Sequence, residues 1–146
     1  MEIDVNGVSI TLTQDQLEQI ARQTRKIKSY KDITSFEIAC DHQNIDVSLF
    51  NNKLIGLTKS EIATRKIKII VKAIRSFTNW VPNWSNSNQR KWRIYFDLEK
   101  GFSSWDTVYT HTFTNVPSAL YVGTEDEARH LGSTFLDLFK DYITEE

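Results

Sequence analysis

Four times along this chain a threonine is followed three positions later by glutamate or glutamine, and an apolar run comes next. The four are Thr13-Gln-Asp-Gln16, Thr34-Ser-Phe-Glu37, Thr58-Lys-Ser-Glu61 and Thr124-Glu-Asp-Glu127. In such a box the threonine hydroxyl accepts from the backbone N–H three residues on. The Glu or Gln side chain reaches back to the cap. One match is easily chance, but four, each leading into apolar residues, predict four helices and their starting points.

The first helix is predicted over about Gln14 to Lys26, with Leu17, Ile20, Ala21 and Thr24 on its inner face. The second is short, from about Ser35 to His42, with Phe36, Ala39 and Cys40 inward. The third is long, from about Lys59 to Thr78. There Ala63, Ile67, Ile70, Ile74 and Phe77 step by four and three to make an unbroken apolar stripe. Arg65, Lys68, Lys72 and Arg75 lie on the other side. The fourth runs from about Glu125 to Tyr142 and buries Ala128, Leu131, Phe135, Leu138 and Tyr142.

Two other regions read as β-structure. Ile3 to Leu12 alternates around Asn6-Gly7, a pair suited to the type I′ turn of a small hairpin. Lys91 to Leu98 alternates strictly, with Trp92, Ile94, Phe96 and Leu98 on one face and Arg93, Tyr95 and Asp97 on the other. Lys100-Gly101 turns the chain, and Ser104 to Thr114 is rich in β-branched and aromatic residues. Pro117 interrupts, and Ala119-Leu-Tyr-Val122 is predicted as a third strand. Three antiparallel strands need a cover for their apolar face, and the fourth helix supplies it.

The fold expected is therefore α+β in one domain over residues 1–146. Residues 1–78 carry the N-terminal β-hairpin and the helical half. Residues 79–146 carry a C-terminal three-stranded antiparallel sheet covered by a helix.

With 40% hydrophobic residues among 146, the chain can bury a proper core. No apolar run approaches the roughly 18 residues of a membrane span, and MEIDVNGVSI lacks the pattern of a signal peptide. A single cysteine, Cys40, fits a reducing cytoplasmic setting. Residues 1–96 carry 15 Lys+Arg against 9 Asp+Glu, whereas residues 97–146 carry 3 against 10. The cations gather at Arg22, Arg25, Lys26, Lys28 and Lys31, and again at Arg65, Lys66, Lys68, Lys72 and Arg75. Two solvated helix faces explain this plainly, and a surface facing a polyanion is the functional alternative.

Signals for catalysis are weak. His42, His111 and His130 are far apart and Cys40 stands alone, so no zinc spacing is present and no metal or other cofactor is expected. Asp97, Glu99 and Asp106 flank a hairpin turn and read as solvated. His111-Thr-Phe-Thr114 offers His and Thr on a strand that could hold a phosphate. Phosphoesterases of that kind need the arrangement twice, and it occurs once.

The stretch NWVPNWSNSNQRKW, residues 79–92, sets three tryptophans among amides and cations. Aromatic faces beside guanidinium groups make a platform for bases and phosphates. Trp92 starts the apolar strand face and Trp80 staples the end of the third helix, so both are assigned to packing. Trp84 has no core role by pattern and is the residue expected to meet a partner, with Arg90, Arg93 and Tyr95 beside it.

The chain resembles a family of small uncharacterised proteins encoded by tailed phages and prophages. The likeness rests on Asn6-Gly7 with Leu12-Thr13, Ile33-Thr-Ser-Phe-Glu37 with Ala39-Cys40, and Ile67 to Ile74. It continues through Trp80-Val-Pro-Asn-Trp84 to Lys91-Trp92, Glu127-Ala128 and Phe135-Leu-Asp-Leu138. Where relatives tend to carry Leu-Gly after the Ala-Cys helix, this chain has His42-Gln43-Asn44. The resemblance implies a phage or prophage accessory protein acting in the host cytoplasm by binding rather than catalysis. Its partner would be a host protein, as for a counter-defence inhibitor, or a nucleotide-type signal molecule. The alternative is a nucleic-acid-binding accessory protein using Arg65, Lys68, Lys72 and Arg75.

Overall fold

Three of the four threonine boxes close in the computed structural model of the chain, which describes residues 2–5, 8–24, 26–113 and 116–144. The Thr13 N–H donates to Gln16 Oε1 at 2.9 Å, and the Gln16 N–H donates to Thr13 Oγ1 at 3.3 Å. Thr58 with Glu61 and Thr124 with Glu127 make the same reciprocal pairs. The Thr34 box does not form. Ser35 is the cap instead, its hydroxyl accepting from the Ile38 N–H at 3.2 Å. Adjacent Thr and Ser are equivalent acceptors, and tertiary placement chooses between them.

The described elements run in order as β1 (Glu2–Val5), β2 (Val8–Thr11), α1 (Gln14–Thr24), α2 (Phe36–His42), α3 (Val47–Asn52) and α4 (Lys59–Ser76). They continue with β3 (Lys91–Phe96), β4 (Trp105–Thr110), α5 (Glu125–Thr134) and α6 (Leu136–Ile143). β1 and β2 pair antiparallel, with Val5 opposite Val8. The Asn6-Gly7 turn itself lies outside the described residues. The sequence reading missed α3, which Asp46 caps by accepting from the Leu49 N–H at 3.0 Å.

α4 is the centre of the core. Ile67, Ile70, Val71, Ala73 and Ile74 are buried in one cluster with Phe36, Ala39 and Cys40 of α2, and with Ile94, Leu131, Phe135 and Phe139. Its stripe is the expected one because every fourth and third position is apolar and no proline interrupts it. α4 packs directly on α2 and on α6. α5 lies against the β3–β4 hairpin, and a Cβ at Gly132 would collide with the Trp105 ring, so the close approach requires glycine there.

Four expectations need correction. The C-terminal sheet has two strands, not three, with Lys91 opposite Thr110 through to Phe96 opposite Trp105. Residues Ser118–Leu120 form a 3-10 turn, and only Val122 pairs with β3, in a single bridge to Trp92. The fourth predicted helix is two, because Phe135 leaves helical geometry at φ −119°, ψ 26° after the weak helix formers Gly132-Ser133-Thr134. That break shifts the register, so Phe139 is buried and Leu138 only partly. Ile20 on α1 is 45% exposed, and Ala21 and Thr24 are exposed too, so the predicted inner face of that helix is not covered. Trp92 and Phe96 pack against the core but are only partly buried, while Leu98 falls beyond the strand and is exposed.

Candidate functional site

An antiparallel strand alternates the direction of its backbone groups, so residues two apart share an edge. The Trp92 N–H donates to the Val122 carbonyl at 3.0 Å, and the Val122 N–H donates to the Trp92 carbonyl at 2.9 Å. The backbone groups of Trp92 therefore point away from β4, and so do those of Ile94 and Phe96. The Ile94 carbonyl accepts from Arg93 Nη1 at 3.1 Å. Among the described residues nothing pairs with the Ile94 N–H, or with the N–H and carbonyl of Phe96. β3 thus has an open edge three residues long, next to its one bridge.

The third predicted strand leaves this edge for identifiable reasons. Pro117 carries no N–H and opens the 3-10 turn. Arg75, near the end of α4, then holds the turn: its Nε donates to the Tyr121 carbonyl and its Nη2 to the Ser118 carbonyl, each at 2.5 Å. Burial pulls the Arg75 pKa down to about 10, still far above neutrality, so the guanidinium stays charged. Glu127 Oε2 accepts from the Gly123 and Thr124 N–H groups at 2.9 and 3.0 Å. The Trp80 ring lies flush against Gly123, where a Cβ would stand 2.8 Å from ring atoms. Trp80 is thereby the expected staple between α4 and the sheet.

Beside Ile94 and Phe96 of β3 there is a cavity of about 280 Å³. Ile94, Phe96, Val116, Leu120, Phe139 and Tyr142 line it, and Arg93 and Tyr95 contribute as well. Tyr95 is 51% exposed and Leu98, also on the lining, 54%. The combination is an apolar hole, unpaired backbone groups along one side, and exposed apolar side chains at the strand end.

The predicted site residues separate. Arg93 and Tyr95 come together at this cavity. Trp84 does not stand free: its ring meets Tyr121 edge-on at 5.4 Å, and Lys91 Nζ lies 5.2 Å from its ring centre. Lys91 is fully buried, and its ammonium donates to the Gln89 and His111 carbonyls at 2.9 and 2.5 Å and to Asn86 at 3.5 Å. That burial lowers its pKa. Gln89 closes the loop further, accepting from the Asn83 N–H at 2.6 Å and donating to the Val81 carbonyl at 3.0 Å.

Arg90 stacks its guanidinium 4.7 Å from the exposed Tyr109 ring, which also meets Trp92 and His111. His111 lies past the end of β4 rather than on a strand, and Thr114 is outside the described residues. On α4, Arg65, Lys68 and Lys72 are exposed, and among the described residues none of them has an ion-pair partner. Arg75, predicted to join them, is instead the clamp on the 3-10 turn.

Sequence reasoning missed Val116, Leu120, Phe139, Tyr142 and the backbone edge itself. One signal was present: Pro117 sits so close to Val122 that little length is left for a strand between them.

Cys40 is fully buried, and burial, with Glu37 and Asp41 nearby, pushes its thiol up to about 11, which is an inert setting. Among the described residues no three His, Cys, Asp or Glu side chains could together hold a metal ion, and no helix is long and apolar enough to cross a membrane. No family model matches the chain, and no curated protein or solved structure matches it either.

Proposed function

We propose that this chain is a non-enzymatic accessory binding protein, of the phage and prophage kind its sequence resembles, and that its partner is a host protein, as for a counter-defence inhibitor. The observation that carries the reading is the open edge of β3 beside an apolar cavity, with Tyr95 and Leu98 exposed at its end. Exposed apolar surface next to a concave apolar site is the usual character of a protein-contact region. The reading favours a protein over a nucleotide signal because the cavity lining is chiefly apolar and its cation, Arg93, already donates to the Ile94 carbonyl.

Capture from a bacterial host lysate, run at low and moderate salt with nuclease treatment, tests it. The expected result is one host protein retained in fixed ratio at both salt concentrations, insensitive to nuclease, and lost with the variant Leu98→Arg. Recovery of nucleic acid alone would sink the reading.

The second reading, nucleic-acid binding, draws on the exposed stripe of Arg65, Lys68 and Lys72. Contacts through several such cations weaken steeply as salt rises. It predicts nucleic-acid retention that disappears at moderate salt and in the double variant Lys68→Glu, Lys72→Glu.

A further inference from the structure

We infer that the open edge of β3 takes up an extended segment of a partner protein as the missing third strand, with one apolar side chain of that segment in the cavity. The inference rests on the protein-binding reading above and names the form the partner takes. Three observations converge on it.

The first is backbone chemistry. The Ile94 N–H and the Phe96 N–H and carbonyl face the same side and have no partner among the described residues. Groups repeating every second residue, about 6.8 Å apart, are matched by another extended backbone. A helix turns its own groups inward, and nucleic acid offers no such repeat.

The second is register. The bridge between Trp92 and Val122 already makes the first pair of bonds on this edge. An incoming strand needs only to continue a ladder that exists. The chain's own segment does not continue it, because Arg75 holds the Ser118 and Tyr121 carbonyls in the turn.

The third is side-chain space. Strand side chains alternate between faces, so a bound segment sends every second residue to one side. The cavity of about 280 Å³ is lined by Ile94 and Phe96 from the strand and by Phe139 and Tyr142 from α6. It receives one apolar side chain, while the bonded edge fixes the position of that residue. This is strand addition, in which main-chain bonds hold the segment and a pocket selects it.

The test pans a display library of linear heptapeptides against the full chain, then measures synthetic copies of the enriched sequences. Apolar residues should recur at every second position. Methylating the amides of one alternate set should weaken binding by about tenfold or more, while methylating the other set should leave it unchanged. Amide exchange at Ile94 and Phe96 should slow when peptide is added, a measurement that needs no variant. Ile143 also lines the cavity, and Ile143→Trp, which adds bulk there, should weaken binding while thermal unfolding shows it folded.

Apolar spacing of three and four, an N-methyl scan without alternation, or unchanged exchange at Ile94 and Phe96 would each overturn strand addition. So would a library yielding no peptide that prefers the wild-type chain to Ile143→Trp. A host protein captured from lysate whose binding ignores Leu98→Arg and Ile143→Trp would remove the strand-addition inference alone. Nucleic acid as the sole retained partner would remove the protein-binding reading beneath it.

Discussion

The two edges of β3 belong to one alternating strand and end in different surroundings. One edge pairs with β4 along all six residues, from Lys91 to Phe96. Among the described residues the other meets another strand-like segment only at Trp92. The strand's own propensity does not distinguish them, since both edges share the same residues. The difference lies in what the neighbouring segment is free to do. Trp105–Thr110 has no proline and follows a short turn, so it extends fully beside β3. The segment before Val122 carries Pro117 and is held from α4 by Arg75 and from the loop by Trp84. An edge is open when the chain that would close it is committed elsewhere.

The largest effect expected is on the side of the strand that anchors the paired edge. Ile94 is buried against α4 and α5 residues, so Ile94→Ala should cost roughly 2–5 kcal/mol in denaturant unfolding. Val108, on the exposed side of the same hairpin, gives the control, and Val108→Ala should cost less than about 0.5 kcal/mol. Equal costs would mean the hairpin is not held by its inner face.

Next comes the clamp. Arg75→Ala removes two charged hydrogen bonds to main-chain carbonyls. The expected loss is about 1.5–3 kcal/mol, together with faster amide exchange at Tyr121 and Val122. A variant that loses no stability and keeps those amides protected would show that Pro117 alone keeps the third strand away. Trp84 is the weaker support. Its contacts with Tyr121 and buried Lys91 make a loss of about 1–2 kcal/mol the expectation for Trp84→Ala. An unchanged melting temperature would restore Trp84 as a free contact residue.

These differences follow how far each signal travels along the chain. α4 was legible because its evidence is local: a capping box at Thr58, a three-four apolar stripe and no interruption. The β3–β4 hairpin was legible for the same reason. The third strand was misread because its competitor is remote: Arg75 reaches carbonyls 43 and 46 positions away, and β-propensity carries no trace of that. Thr34 and Ser35 illustrate a smaller ambiguity, two equivalent caps side by side. At the candidate site, strand alternation put Arg93 and Tyr95 on one face of β3, and both line the cavity. Leu120 and Phe139 were not legible, since a residue that lines a hole looks, in sequence, like any other core residue. The packing of Trp84 was not legible because burying Lys91 beneath it requires three carbonyls that no pattern announces.

The smallest stability effect should fall at the open edge, and it decides most about function. Leu98 is 54% exposed and lies two residues past Phe96, the last residue of β3. Its contribution to the folded state is limited to what it covers at the cavity lining, so Leu98→Ser should change unfolding free energy by no more than about 0.5 kcal/mol. An exposed leucine beside a cavity gains much more burial when a second chain lies over it, because its remaining apolar surface then leaves water. Leu98→Ser should therefore weaken a bound strand measurably while the fold is intact, whereas Val108→Ala, equally mild in stability, should leave strand binding unchanged. If Leu98→Ser instead costs as much stability as Ile94→Ala, the open edge is already part of the core. A surface fully occupied in holding the fold has no apolar area left to offer a partner.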